Sequence, residues 1–351
     1  MRVLGIETSC DETSASIVEG RGDRAVIRSL VILSQDVHRI FGGVVPEIAS
    51  REHLTALVPV VRRALVDASM TLAEVDAIAV TNAPGLVGAL LVGVSFAKSL
   101  AHSLGVPFLG VHHLEGHLFA ASLEFDDAVP PFTALLVSGG HTLIVDVPVW
   151  GSYQVLGRTR DDAAGEAFDK VGKLLGLPYP GGPEVERIAA SAGKPSVRYS
   201  PPMLRRDQQP GTSEYYDVSF SGLKTAVLSS VREKTAGDRA LADDERADLA
   251  RAFQAALIAT LTGKTERAVD AFDRKRVVIA GGVAANQALG AALRERLAKR
   301  GVSVIAPSNR LSTDNAAMIA RAGLHRLERG ERSTLDLTAY AALPLPGATP
   351  A

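Results

Sequence analysis

Apolar and polar positions follow two rhythms along the chain, and the changes of rhythm mark its elements. Residues 2–6 and 14–18 are apolar runs on either side of the polar stretch 7–13, which predicts a hairpin with a hydroxyl- and acid-rich tip. A Gly-Gly-Val-Val-Pro loop at 42–46 precedes residues 47–68, whose apolar positions recur at helical spacing. Residues 76–80 read as a strand, 82–85 as a turn and 86–104 as a helix rich in small residues. Gly85, Gly88 and Gly93 allow close backbone approach, the last two for packing. A buried strand at 106–111 then enters a helix at about His113, with Leu114, Leu118 and Ala121 on its apolar side.

The second half repeats this plan. Residues 133–137 and 143–147 are strands around a small polar turn, Ser138-Gly-Gly-His-Thr142. Strand 276–280, the glycine turn 281–286, a helix to about 300 and strand 302–305 reproduce the order of 76–111. The repetition predicts an α/β chain of two similar lobes, 1–128 and 129–330, with mixed sheets flanked by helices and a cleft between the two hairpins. By analogy this is the layout of the actin-like, RNase H-like superfamily of actin, hexokinase and the heat-shock ATPases (ASKHA), in which a nucleotide lies between the lobes. Such an analogy does not fix function. A tail, 331–351, follows, mobile after Leu343.

The region between the repeated elements is less regular. Residues 163–175 look helical and carry Asp169 and Lys170, Pro180-Gly-Gly-Pro183 forces a turn, and 184–192 form a short helix. Residues 194–216, with Arg205 and Arg206 at their middle, read as an exposed loop, either a contact for RNA or a partner or plain solvated surface. Helices at 224–232 and 244–272 complete the insertion.

Composition narrows the setting. With 351 residues, 46% hydrophobic and 22% charged, the chain can fill two globular cores. A net charge of -1 supplies no global positive field, so a nucleic acid has to be met through local basic patches or another protein. The single cysteine, Cys10, excludes a disulfide framework and cysteine-rich zinc sites, and fits a reducing cytoplasm. The chain enters a strand at once, without the flank and apolar core of a signal peptide. Its most apolar stretch, 86–97, is short and glycine-punctuated for a bilayer span. The expectation is a soluble cytoplasmic protein with no membrane partner.

Candidate chemistry concentrates at His113 and His117. On a helix, residues four apart share a face, so the two imidazoles can bind one metal ion, although the same spacing suits ordinary surface or core histidines. Glu115 lies two places after His113, whereas the zinc-protease pattern puts its base directly after the first His. Asp314, ahead of the helix 316–328, is a natural third ligand, and equally a helix-start residue of the capping kind. Two His and one carboxylate without thiolate suit iron, manganese or zinc with open positions for substrate.

These motifs together carry a resemblance. Residues 5–13 (GIETSCDET), 42–47 (GGVVPE), 111–117 (VHHLEGH), 136–142 (LVSGGHT), 161–170, 179–183 (YPGGP), 219–225, Ala280-Gly-Gly-Val283 with Asn286, and Thr313-Asp-Asn315 resemble the bacterial tRNA N6-adenosine threonylcarbamoyltransferase family, TsaD, once labelled an endopeptidase. The match runs over about 1–325. The resemblance implies transfer of a threonylcarbamoyl group from threonylcarbamoyl-adenylate to N6 of the adenosine 3′ of the anticodon, position 37, in tRNAs reading ANN codons, with release of AMP. It implies one divalent metal, Fe2+ with Zn2+ or Mn2+ as alternatives, on His113, His117 and Asp314, and adenine-nucleotide contacts at Leu136, Val137, Ser138, Gly139, Gly140, Asp169, Gly182, Glu186 and Asn286. It also implies tRNA as substrate and two helpers, a TsaB-like paralogue lacking the metal motif and a TsaE-like small ATPase. Archaeal and eukaryotic relatives have Tyr where Leu136 stands and Asn where His141 stands, so the chain follows the bacterial pattern.

The reaction needs a base for the amine, and Asp11 or Glu12 at the first hairpin tip is the candidate; Cys10 need not be a nucleophile. Three other readings make different demands. A metabolite kinase of the same superfamily has no need of the two His, a metalloprotease needs a better-placed Glu, and a nucleotide-binding scaffold makes no product.

Overall fold

The computed structural model describes residues 1–205, 207–236 and 239–350, so that Arg206 lies outside the described residues. The chain forms two compact units, the first of residues 1–129 with 307–347, the second of 130–306 with 348–351. In chain order the first unit begins with β1 (Arg2–Glu7), β2 (Glu12–Arg21), β3 (Arg24–Ser34), a 3-10 turn at Asp36–Phe41, α1 (Pro46–Asp67), β4 (Ala77–Ala83), α2 (Val87–Leu104), β5 (Phe108–His112) and α3 (His113–Ala120). The second contains β6 (Phe132–Val137), β7 (Thr142–Val149), β8 (Ser152–Arg158), α4 (Ala164–Leu174), α5 (Gly181–Ala190), α6 (Ser213–Tyr216), α7 (Ser221–Lys234), α8 (Asp243–Phe272), β9 (Arg276–Ala280), α9 (Gln287–Ala298) and β10 (Ser303–Ile305). The chain then returns to the first unit with α10 (Asn309–Ser312) and α11 (Ala316–Glu328), and ends in β11 (Ala348–Pro350), which pairs with β8.

The duplication is a matter of topology as well as order. The first sheet runs β3-β2-β1-β4-β5; the second runs β8-β7-β6-β9-β10 in the same sense, with β11 added beyond β8. In each sheet the first three strands are antiparallel and the last two join in parallel. The sequence reading passes over β3 and β8, the third strand of each meander, and ends β4 too early at 80. It begins α5 and α7 three residues late: Gly181 and Ser221 already lie in helix.

Strand alternation assigns the faces of the first sheet. Leu4, Ile6, Ile78 and Val80 form one apolar cluster with Leu57, Val61 and Ala64 of α1 and Leu90, Val94 and Ala97 of α2. The intervening Gly5 and Ala79 meet α11 on the other face: a Cβ on Gly5 would stand 2.1 Å from Ala316 O, and one on Gly323 would stand 2.4 Å from Ala79 Cβ. α2 is long and apolar enough to cross a membrane by length and composition, yet it packs beside α1 and β4. Burying each large apolar side chain in this cluster contributes roughly 1.5–3 kcal/mol. In the second unit Leu135, Val137, Val277 and Ile279 pack with Phe168 of α4, Phe253 and Leu257 of α8 and Leu293 of α9.

Two expectations about the chain's end are corrected. A second lobe running unbroken to 330 is not what the packing gives, because α11 lies on β1, β2, β4 and α3. Nor is 331–347 a loose tail within the first unit. β5 is an edge strand, whose unpaired backbone groups need partners. Ser333 N-H donates to Phe108 O (2.9 Å) and Ser333 Oγ accepts from Gly110 N-H (3.0 Å) on β5, and Tyr340 N-H donates to Asn82 O (2.9 Å) on β4, where the β4–β5 register shifts. Ala339 and Leu345 are buried.

The close seat of α11 on β1 makes Gly5 a sensitive position. Gly5→Ala is expected to lower stability by about 1–3 kcal/mol, as overpacking does, read as a lower urea midpoint with unchanged slope. A midpoint equal to that of the wild type would show that α11 does not rest on β1.

Candidate functional site

The first unit gathers its polar groups at the carboxyl ends of three adjacent parallel strands. β1 ends in Glu7, β4 carries Thr81 beside it, and β5 ends in His112 and passes directly into α3. His113 and His117 are successive turns of α3, with ring centroids 4.7 Å apart and edge to face. Asp314, in the turn between α10 and α11, places Oδ1 3.3 Å from His113 Nε2 and 3.2 Å from His117 Nε2. The three donor atoms lie within 4.8 Å of one another. Both imidazoles are buried and the Asp314 side chain is partly exposed, so this oxygen and nitrogen donor set is open on the carboxylate side and could hold one metal ion.

Charge balance explains how such polar groups stay buried. Burial alone would push the Asp314 carboxyl up, but His113 and His117 override it and hold it well below the usual carboxylate range. Burial pulls the other way on His113, yet Asp314 and Glu7 keep it well above its ordinary value. His117 is held below its ordinary value by burial, against the pull of Asp314, and its Nδ1 is buried with no partner.

The turn before β2 adjoins this set. Ser9 Oγ lies 3.2 Å from His113 Nδ1, and Ser9 O accepts from Leu86 N-H at the start of α2. A Cβ on Gly85, Gly88 or Gly93 would strike Ser9 O, Ser50 Oγ or Thr8 Oγ1, so all three glycines serve packing around this turn. Asp11 and Glu12 are partly exposed at its end. Burial pushes Glu12 well up, and Asp314, Asp11 and Glu7 add to it. The Cys10 thiol is also pushed up, first by burial and then by Asp11 and Asp314, which leaves little thiolate for nucleophilic work.

Two residues the sequence reading missed hold this arrangement. His53, buried on α1, reaches Thr13 Oγ1 (2.8 Å) through Nδ1 and Cys10 O (2.9 Å) through Nε2, gripping the turn on both sides of Asp11 and Glu12. Glu7 is fully buried against His113. His53 carried a local signal, a titratable residue on the apolar side of a helix, whereas Glu7 opens the polar stretch 7–13 and carried none. Glu115 is buried too, with Arg326 Nη1 3.3 Å from its Oε2, so it is engaged rather than poised as a base.

The second unit holds the remaining candidates. Ser138-Gly139-Gly140-His141 is a tight turn in which Ser138 N-H donates to His141 O (2.8 Å) and His141 N-H to Ser138 Oγ (3.1 Å), with Gly139 and Gly140 exposed. Gly281, at φ 88°, comes so close that a Cβ would stand 2.5 Å from Val137 O. Leu136 and Val137 are buried inside β6, so they shape the turn from below. Asp169 Oδ1 accepts from Gly181 N-H (2.7 Å), and burial pushes Asp169 up. The space over Gly182 is open, with the nearest atom, Phe168 Cβ, 4.0 Å from a Cβ built there. Glu186 Oε1 accepts from Gln287 N-H (2.7 Å) and Ala288 N-H (3.2 Å). Asn286 caps α9 by accepting from Leu289 N-H (2.9 Å) and donates to Gln254 Oε1 (3.1 Å). Asp169 thus ties α4 to α5, Glu186 ties α5 to α9, and Asn286 ties α9 to α8.

The segment 194–216 is anchored rather than loose. The buried Lys264 donates to Gln208 Oε1 (3.2 Å) and Tyr215 O (2.9 Å), and the Arg267 guanidinium stacks 4.5 Å above the Tyr215 ring. Arg205 pairs with Glu214 at 3.4 Å.

Comparison with known proteins agrees with this layout. The family model described as TsaD, tRNA N6-adenosine threonylcarbamoyltransferase, matches residues 26–321. A curated relative from Gemmatimonas aurantiaca named tRNA N6-adenosine threonylcarbamoyltransferase is 62% identical over 351 residues, covering 99% of this chain and 98% of that protein. Among solved structures, HypF from T. kodakarensis aligns with a TM-score of 0.60 at 14% identity over 93% of this chain and 48% of its own. Full-length HypF in the phosphate- and nucleotide-bound form aligns with a TM-score of 0.59 at 12% identity, over 95% of this chain and 47% of its own. At such identities the structural likeness shows the fold alone, the actin-like α/β fold of two mixed sheets flanked by helices. By family model and by identity over nearly its whole length, the chain belongs to the TsaD family of enzymes, the tRNA N6-adenosine threonylcarbamoyltransferases.

Proposed function

We infer that the protein transfers the threonylcarbamoyl group of threonylcarbamoyl-adenylate to N6 of adenosine 37 in tRNAs that read ANN codons, releasing AMP. The observation that carries this reading is the convergence of His113, His117 and Asp314, in a chain of this family, on one buried point from positions 197 residues apart. The rival readings lose ground for stated reasons. Engagement of Glu115 by Arg326 removes the protease base, and a kinase leaves the two buried imidazoles without a task.

In the reaction a bond forms between adenosine N6 and the carbamoyl carbon, the bond from that carbon to the AMP phosphate oxygen breaks, and N6 loses a proton. His113 and His117 through Nε2, with Asp314 through Oδ1, would hold one divalent cation, iron by preference with zinc or manganese as alternatives. When bound, the ion supplies Lewis-acid stabilisation of negative charge on oxygen. Glu12 is the favoured carboxylate to take the N6 proton, because burial, with Asp314 and Asp11 beside it, raises its affinity for protons. Asp11 is the alternative. His53 keeps both in place by fixing the backbone on either side.

In the second unit, the backbone N-H groups of Gly139 and Gly140 are assigned to phosphate, that of Ser138 being taken by His141 O, and the remaining acceptor positions of Asp169, Glu186 and Asn286 to the nucleoside end above Gly182. Leu136 and Val137 contribute as the floor of that turn. With net charge near zero, tRNA binding is shared with helper proteins, a TsaB-like paralogue and a TsaE-like small ATPase, in the cytoplasm.

The test is a transfer assay with the protein, its presumed bacterial partners, unmodified tRNA and pre-made threonylcarbamoyl-adenylate, with the nucleosides read by mass spectrometry. Product is expected from the wild type. His117→Ala and Asp314→Ala are each expected to lose the bound metal and to cut product at least a hundredfold; a variant that retains both would remove the metal assignment. Glu12 gives a pH signature. A general base must be ionised, so the rate rises with pH through a limb lying above the ordinary carboxylate range. Glu12→Gln should abolish both that limb and most of the rate. An unchanged profile in Glu12→Gln and in Asp11→Asn would eliminate both carboxylates as the base.

A further inference from the structure

We propose that Glu7 is a positioning residue for His113, fixing which ring nitrogen faces the metal position and holding the ring at its angle. The inference rests on the reading of His113, His117 and Asp314 as metal ligands, and concerns what stands behind one of them.

Glu7 closes β1 and is wholly buried. Its carboxylate collects donors from three elements. Ser9 N-H donates to Oε1 at 2.5 Å, Thr81 Oγ1 donates to Oε2 at 2.6 Å, and His113 Nδ1 lies 3.1 Å from the same Oε2. Thr81 is beside Glu7 because β1 and β4 pair in parallel with Ile6 opposite Val80, which sets the next residues of the two strands side by side. Two independent donors thus lock the carboxylate before the imidazole arrives. An ionised carboxylate can only accept, so the atom facing it, Nδ1, carries the proton. Nε2 is then the atom that can give a lone pair to a cation, and it is Nε2 that lies toward Asp314. A carboxylate behind a ligating imidazole fixes its tautomer and raises its basicity as a donor.

The neighbouring ligand provides an internal contrast. His117 presents Nε2 to the same Asp314 oxygen, but its Nδ1 is buried and has no partner. On its Nδ1 side that ring is held by helix position and packing. The pair is therefore asymmetric, with His113 braced and His117 unbraced, and removal of Glu7 acts through His113. Ser9 Oγ, 3.2 Å from Nδ1, also lies at that nitrogen, and it follows Glu7 because Ser9 N-H is bound to it.

Metal-stripped full-length protein, titrated with Co2+ against a competing chelator, gives both affinity and the visible spectrum of the bound ion. Glu7→Gln is expected to weaken Co2+ binding about 10–100-fold and to change the absorption band. Thr81→Val keeps the shape while removing one lock on the carboxylate, and a smaller, severalfold loss is expected from it. Wild-type affinity and spectrum in a folded Glu7→Gln variant would overturn the proposal. Should that variant fail to fold, Thr81→Val decides: unchanged affinity and spectrum overturn the proposal, and a weakened, altered site supports it. A wild type that takes up no Co2+ removes the metal reading and this inference together, whereas equal binding by wild type and Glu7→Gln removes the inference alone.

Discussion

Asp314 is the charge on which the first unit depends. Two imidazoles and the Glu7 carboxylate are removed from water within a few ångströms of the partly exposed Asp314, and any one of the three alone would be costly to bury. Together they offset one another: Asp314 lies between His113 and His117, and Glu7 supports His113 from behind. Such a set gains little over well-packed apolar residues, and losing one member leaves the others uncompensated. Its persistence in the interior is therefore better explained by chemistry than by stability. The same argument applies to Glu115 with Arg326, where the pair is closed on itself and offers nothing to a ligand.

The position of Asp314 follows from a return of the chain. After 177 residues in the second unit, the chain comes back at Pro307 and lays α11 across β1 and β4. Gly5 and Gly323 permit that approach, Asn315 caps α11 by accepting from Met318 N-H (3.0 Å), and the residue just before the cap is Asp314. The cap and the ligand were alternatives when read from sequence. In the fold adjacent residues divide the two tasks, since Asn315 satisfies the helix terminus and frees the Asp314 carboxylate to face the imidazoles.

Local signals were legible and long-range ones were not. The i, i+4 spacing of His113 and His117, the strand before them and the helix after Asn315 all follow from periodicity within a dozen residues. The doubled order of strand, turn and strand disclosed the two-unit plan, because repetition compares the chain with itself and needs no contact map. What escaped were features set by partners far away. β3 is exposed along much of its length, and its apolar run at 30–33 is short and preceded by Arg28 and Ser29, so it reads as surface. Glu7 and His53 become informative only when Thr81 and Cys10 are known to be their neighbours. The edge-covering role of 333–343 depends on β5 being an edge, which no local pattern reveals.

The two units solve the problem of presenting polar groups differently. In the first, reactive side chains are presented and other buried side chains hold them, as His53 holds the turn of Asp11 and Glu12. In the second, the polar side chains of Glu186 and Asn286 are tied to the backbone at the start of α9, and Asp169 is tied to the backbone at the start of α5. What that corner has left to offer a ligand is mostly main chain: the exposed Gly139 and Gly140 and the open face of Gly182. A main-chain site of this kind suits a phosphate, which asks for N-H groups and room, while the imidazole and carboxylate site suits a cation and a proton transfer. Of the two, the acidic turn presents the carboxylate side chains able to take a proton, so it, not the glycine turn, is where the rate of a proton-dependent transfer should be decided.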